Sequence, residues 1–169
     1  MSSIKNISLI FLGALLIGLG CSIFFVLTFS YGQIPPQARW FDFWIPLVIL
    51  FFMIILIRSR KPVTEFHFWE GLMSGNLMIW TGGLLSGVFI WIFAGISPEF
   101  FETFISSSVR YLKEFNQYAP ESRKTADLGL KIAEFQKIQP SDMILDEARQ
   151  KLFYSFLLVP FVSVILRRK

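Results

Sequence analysis

The chain has 169 residues, 54% of them hydrophobic and only 17% charged, with twenty phenylalanines, a formal net charge of +4 and a mean hydropathy of +0.57. Soluble domains carry more charge, and their apolar residues follow a helical or strand period rather than standing in blocks. This excludes an ordinary soluble enzyme or a nucleic-acid-binding domain and predicts an all-α integral membrane protein, one membrane domain over residues 1–169.

The first apolar block, Ile7 to Phe29, has no charge and exceeds the roughly twenty residues a helix needs to cross the hydrocarbon. Within it Gly18-Leu19-Gly20-Cys21 loosely resembles a lipoprotein cleavage signal. Ser22 to Leu27 nevertheless continue the same apolar run, so Cys21 is expected to pack as a small hydrophobe. The second block is Phe41 to Ile57, entered past Trp40 and Trp44 and left at Arg58, Arg60 and Lys61.

Ahead of the third block stands Glu65-Phe66-His67-Phe68-Trp69-Glu70-Gly71, which holds the only histidine between two carboxylates. On a helix beginning near Thr64, Glu65 and Glu70 lie about 140° apart and His67 about 60° from Glu70. The three therefore do not converge by themselves, and the stretch reads as an aromatic membrane entrance rather than a metal or catalytic site. The third block runs from Gly71 to Ile96. Its Gly71, Gly75, Gly82 and Ser86 fall within about 60° of one another, and Ala14, Gly18 and Ser22 repeat the pattern in the first block. Small stripes let backbones approach closely, so the first and third spans are expected to pack together; contact with a second copy or another subunit is the alternative. Asn76 is the one strongly polar residue well inside a span and is expected to make an interhelical hydrogen bond; Asp42 and Glu70 stand at span ends, within reach of water.

Residues 97–150 form a connection too long to be structureless. Ser97-Pro98-Glu99 is a helix start, with a capping serine, proline in the first turn and an acid near the positive end of the dipole. Phe100, Phe101, Phe104, Ile105 and Leu112 then recur at helical spacing and could pack on the membrane and on a partner helix or form a docking face for another protein. A weaker helix surrounds Leu130 and Phe135, and Pro140-Ser141-Asp142 closes it and starts a further one, which should run through Met143 and Ala148 into the fourth span. The last apolar block, Leu152 to Leu166, is short, with Lys151 and Arg167 expected to snorkel to opposite interfaces.

Lys5, the cluster Arg58, Arg60 and Lys61, and the cluster Arg167, Arg168 and Lys169 all fall on one side of a four-span arrangement. The long connection carries nine acidic against seven basic residues. Both termini are therefore expected in the cytoplasm and the helical hairpin outside it. No phosphate loop, HExxH, GxSxG or GxGxxG occurs, so no catalytic residue, cofactor or metal is expected.

The basic turn Ile57-Arg58-Ser59-Arg60-Lys61, the approach Phe66 to Gly71, Ser97-Pro98-Glu99-Phe100-Phe101, the lysine-rich segment to Pro140 and the closing Val159-Pro160-Phe161 occur in a recognisable order. In this layout the chain resembles the bacterial membrane family catalogued as domain of unknown function 4199. The resemblance implies an inner-membrane location and no activity; His67 departs from the family, whose segment there needs only an aromatic residue and a glycine. Three classes of function follow: an accessory or assembly subunit of a larger membrane complex, a small transporter or channel component, and a membrane-embedded enzyme using His67, Glu65 and Glu70. Beyond the lipid bilayer, the expected partner is a membrane protein or a second copy of the chain, not nucleic acid.

Overall fold

The computed structural model of the chain describes residues 2–30, 41–60, 67–121 and 127–166. Their elements are all helical, in the order α1 (Ser2–Ser30), a 3-10 turn (Phe41–Phe43), α2 (Trp44–Ser59), α3 (Phe68–Ile96), α4 (Pro98–Tyr118), α5 (Leu128–Gln136) and α6 (Asp142–Leu166). Four of them, α1, α2 with its 3-10 turn, α3 and α6, are long and apolar enough to cross a membrane. The last is longer than its apolar block suggests, because the approach from Asp142 and the run from Leu152 form one continuous 25-residue helix.

Boundary chemistry explains where the elements begin and end. His67 has extended backbone angles and its carbonyl accepts from the N–H groups of Glu70 and Gly71, so α3 begins at Phe68 rather than near Thr64, which lies outside the described residues. Ser97 ends α3 by donating its N–H to Phe93 O at 2.9 Å and opens α4 by accepting from Phe100 at 3.1 Å, with Pro98 in the first turn. At the start of α6 the Asp142 carboxylate accepts from the Gln139 N–H at 2.8 Å while the Asp142 N–H donates back to Gln139 O, a reciprocal cap.

Close approaches between glycines and neighbouring helices show how the spans are stacked. A methyl group at Gly13 would touch Met78, and one at Gly18 would touch Leu85 and the Gly82 carbonyl, so α1 and α3 run parallel. On the opposite flank Gly87 meets Ile144, Gly83 meets Lys151 and Gly75 meets Val159, so α6 runs antiparallel to α3. With Gly20 against Ile45 and Gly13 against Met53, α2 completes an up-down-up-down bundle. Gly82 and Ser86 of the small-residue stripe do face α1, where Ser22 Oγ donates to Gly18 O at 2.6 Å and lies 3.4 Å from Ser86 Oγ. Gly75 instead faces α6 and Leu50 of α2, and Gly71 is buried, so the stripe is shared among three helices. Lipid tails give little apolar drive for helix association, and these close backbone approaches supply dispersion contact in its place.

Two hydrophobic cores are stacked along the bundle. In one, Ile17, Leu50, Ile54, Met78, Ile79 and Val159 unite α1, α2, α3 and α6. In the other, Phe25, Ile90, Ala94, Phe100, Phe104 and Met143 unite α1, α3, α4 and α6, so α4 takes the place of the shorter α2. Phe100 is its hub, with rings of Phe25, Phe29 and Phe93 edge-on at 5.7, 4.7 and 5.0 Å. Large apolar side chains such as Phe11, Ile23, Phe52, Met73, Phe156 and Phe161 point outward, as contact with lipid tails requires.

Candidate functional site, a buried charge centre

At the level where α2 begins, the inner face of α6 turns polar. Glu147, Lys151 and Ser155 follow one another at i,i+4 spacing, so they share one face, and that face packs on α3. Glycine at position 83 makes room for the lysine: a Cβ there would lie 2.7 Å from Lys151 Cβ and 2.9 Å from its Cγ. The stem is thereby laid flat against α3 and its ammonium carried across the bundle toward α2. At the helical rise Gly83 lies about 22 Å from the Phe68 end of α3 and about 20 Å from the Ile96 end.

Two carboxylates converge on that ammonium. Lys151 Nζ donates to Asp42 Oδ2 in a short ion-paired hydrogen bond and lies 3.2 Å from Glu147 Oε2. Tyr154 donates its hydroxyl to the other Asp42 oxygen at 2.9 Å and accepts from Gln150 Nε2 at 2.5 Å. The ammonium also lies 5.2 Å from the Tyr154 ring centroid, and Phe43 packs edge-on against that ring. Relative exposure is 0% for Lys151, 2% for Glu147 and 4% for Asp42, and the buried Cys21 thiol of α1 borders the group. Moving such charges out of water costs several kcal/mol per ion, which only close pairing and hydrogen bonds can offset. Asp42 has both oxygens engaged and Lys151 pairs with two carboxylates, so these two residues meet that condition, Asp42 from the 3-10 turn ahead of α2 and Lys151 from α6, walled by α1 and α3.

The arrangement corrects three expectations. Lys151 does not snorkel; it is directed inward, because Gly83 and Gly87 let α6 come so close to α3 that this face has no route to an interface. Asp42 is likewise buried beneath α6 rather than within reach of water. Asn76 makes its hydrogen bond within its own helix, Nδ2 to Leu72 O at 2.8 Å, and lines a shallow cleft of about 270 Å³ with Ile10, Met73 and Trp80. The interhelical polar bond between α3 and α6 comes from Trp80 instead, whose Nε1 donates to Ser155 Oγ at 2.9 Å.

The other candidates are distributed as follows. His67 is exposed at the start of α3, Glu70 is half-buried on the first turn, and Glu65 lies outside the described residues. Among the described residues no three His, Cys, Asp or Glu side chains are grouped so as to hold a metal ion. Replacing His67 by alanine is expected to leave the thermal unfolding midpoint in detergent unchanged, since its side chain makes no capping bond. Of the five apolar residues assigned to docking, Phe100 and Phe104 are buried in the second core and Phe101 and Ile105 pack against it, leaving Leu112 to open on a groove. Arg58 is half-buried at the end of α2 and Arg60 exposed beyond it; Lys61, Arg167, Arg168 and Lys169 lie outside the described residues. The signal that could have located the centre is the i,i+4 series Glu147, Lys151, Ser155 on a helix whose other faces are apolar.

Comparison with known proteins places these features in a family. A family model described as "Protein of unknown function (DUF4199)" matches residues 13–168, nearly the whole chain. No curated protein and no solved structure matches.

Proposed function

We propose that this chain, which belongs to the DUF4199 family, is a non-enzymatic multi-pass protein of the bacterial inner membrane that conducts protons through its buried centre, as a small transporter or channel component. The observation that carries the reading is the convergence of two carboxylates on one ammonium inside a bundle of spanning helices. Ionisable residues inside membrane spans are costly and characteristically mark ion and proton pathways.

A proton suits this centre better than a metal cation, because sodium or potassium would have to displace the Lys151 ammonium from both carboxylates. A proton needs no such displacement: as an O–H bond forms on Asp42, the ion pair from Lys151 Nζ is released and the ammonium moves wholly to Glu147. The Tyr154 hydroxyl, a donor to the charged Asp42, can accept from the protonated one. Loss of the proton restores the original pairing. Both termini would face the cytoplasm, a reading supported by the order of the basic clusters around Lys5, Arg58 and Arg167 along the sequence of an up-down-up-down bundle. The test is proton flux in liposomes carrying a pH gradient and an internal pH-sensitive dye. Purified protein is expected to dissipate the gradient several times faster than protein-free liposomes do; equal rates would remove the reading.

A role as accessory or assembly subunit is a second reading, supported by the exposed Phe115, Tyr118 and Leu130 on α4 and α5 beyond the bundle. Purification in mild detergent should then yield stoichiometric membrane-protein partners, and a clean monomer would count against it.

A further inference from the structure

Close contacts along α6 give the depth of its first turns. A methyl group on Gly87 would lie 2.6 Å from Ile144 Cα, and one on Gly83 3.6 Å from Ala148 Cα, so the stretch from Asp142 to Arg149 runs beside the second half of α3. The exterior of α3 stays apolar at and beyond that level, at Leu84, Trp91, Ile92 and Ile96, the last about 14 Å farther out than Gly87. Helix α1 agrees: Ser22 lies beside Ser86, and the exposed Ile23 and Leu27 follow it. Two flanks of the bundle therefore meet acyl chains at a depth where α6 exposes Asp142, Asp146 and Arg149.

Ionisable side chains at such depth face protein or a water-filled cavity, not lipid. The irregular connection at 137–141, which enters α6 at Asp142, obeys the same rule, because non-helical backbone has polar groups that hydrocarbon leaves without partners. Both features border one groove of about 530 Å³ between α4, α5 and α6. Its walls mix the apolar Leu112, Phe135 and Met143 with Tyr111 and Ser108, and the three charged residues of α6 complete them. Met143 is buried at the inner end, and one turn deeper on the same face of α6, about 6 Å along the axis, stands Glu147, 3.2 Å from Lys151 Nζ.

We infer that this groove is a water-filled inlet that brings bulk water to within one helical turn of the charge centre, with Glu147 as the group that exchanges protons with it. The role of Glu147 rests on the proposed conduction; the presence of water in the groove does not. A proton arriving on Glu147 leaves the ammonium paired with Asp42 alone. Lys151 Nζ then gives one proton to Asp42 and takes up the one on Glu147, which restores the ammonium and carries the proton from α6 to the 3-10 turn.

Thiol labelling in sealed liposomes tests the inlet. A membrane-impermeant methanethiosulfonate reagent attacks the thiolate, which forms in water and not among acyl chains. Leu112→Cys and Ser108→Cys place a thiol in the groove, Leu84→Cys and Ile92→Cys place one on the exterior of α3 at and beyond the same depth, and the unmodified chain, with Cys21 buried, sets the background. The groove thiols are expected to react at least about tenfold faster than those on α3. Leu112 is half-buried and belongs to neither core, so its variant decides the matter even if Ser108→Cys fails to fold. Groove thiols that react no faster than the two on α3 would mean a dry groove and overturn the proposal. Proton flux through labelled Leu112→Cys is expected to fall severalfold below that of the unlabelled variant; unaltered flux would remove Glu147 as the point of entry. A chain that conducts no protons before labelling counts against the conduction reading, and the labelling rates still decide whether water fills the groove.

Discussion

Replacing Lys151 alone by methionine is expected to destabilise the protein by about 3–5 kcal/mol, the usual cost of removing one partner from a buried ion pair. The volume is nearly conserved, so packing against Gly83 survives; what is lost is the charge that neutralises Asp42 and Glu147. Those carboxylates would then have to remain charged without their ammonium or take up protons on folding, and either course penalises the native state. Reversible unfolding in detergent, followed by helical circular dichroism, measures the loss. Neutralising the whole group, with Asp42→Asn, Glu147→Gln and Lys151→Met together, should recover most of it, because no buried charge is then left over. A single Lys151→Met variant as stable as the parent would mean that the three residues are not electrostatically coupled.

The second large effect is expected at Gly87. Alanine there would set a methyl group 2.6 Å from Ile144 Cα and 2.9 Å from its carbonyl oxygen, atoms of a helix backbone that cannot rotate aside. The two helices must separate, at a cost of about 1–3 kcal/mol for overpacking. Better helix propensity returns up to about 1 kcal/mol of this. Gly95 provides the internal control: nothing lies within 4 Å of a Cβ built there, so Gly95→Ala should be neutral or mildly stabilising in the same assay. The Gly87 substitution should also reach the charge centre, since one turn below it Gly83 holds the Lys151 stem. If Gly87→Ala and Gly95→Ala behave alike, the close approach of α3 and α6 does not govern stability.

These two sites show what could be read from the sequence and what could not. The four spans follow from uninterrupted apolar length, and the break at Ser97-Pro98-Glu99 from proline and an acid in the first turn, both of which are local, whereas the Ser97 side chain does not make the expected capping bond. The pairing of Ala14, Gly18 and Ser22 with Gly82 and Ser86 followed from side-chain size at helical spacing. The charge centre did not, because a lysine next to a short apolar run has two physically sound fates. It snorkels if its face meets lipid, and it must find counter-charges if its face meets another helix. Which face is turned inward depends on Gly83 and Gly87 in a different helix, 68 and 57 positions away from Lys151 and Ile144 in the chain. Asp42 was obscured for a related reason: it begins the shortest span, and the position of that beginning, beneath α6 and not at a surface, is set by packing. His67 drew notice through its rarity and its flanking acids, yet rarity carries no geometry, and it stands exposed at a helix start.

The neutral triple variant also separates the two roles a buried charge centre can have, holding helices together and carrying a proton. Its proton flux in liposomes, measured after circular dichroism and size-exclusion chromatography have shown it folded and monodisperse, is the most direct test. Conduction through the centre predicts flux no greater than that of protein-free liposomes. Flux equal to that of the unmodified chain would contradict it and leave Asp42, Glu147 and Lys151 as a clamp between α2 and α6.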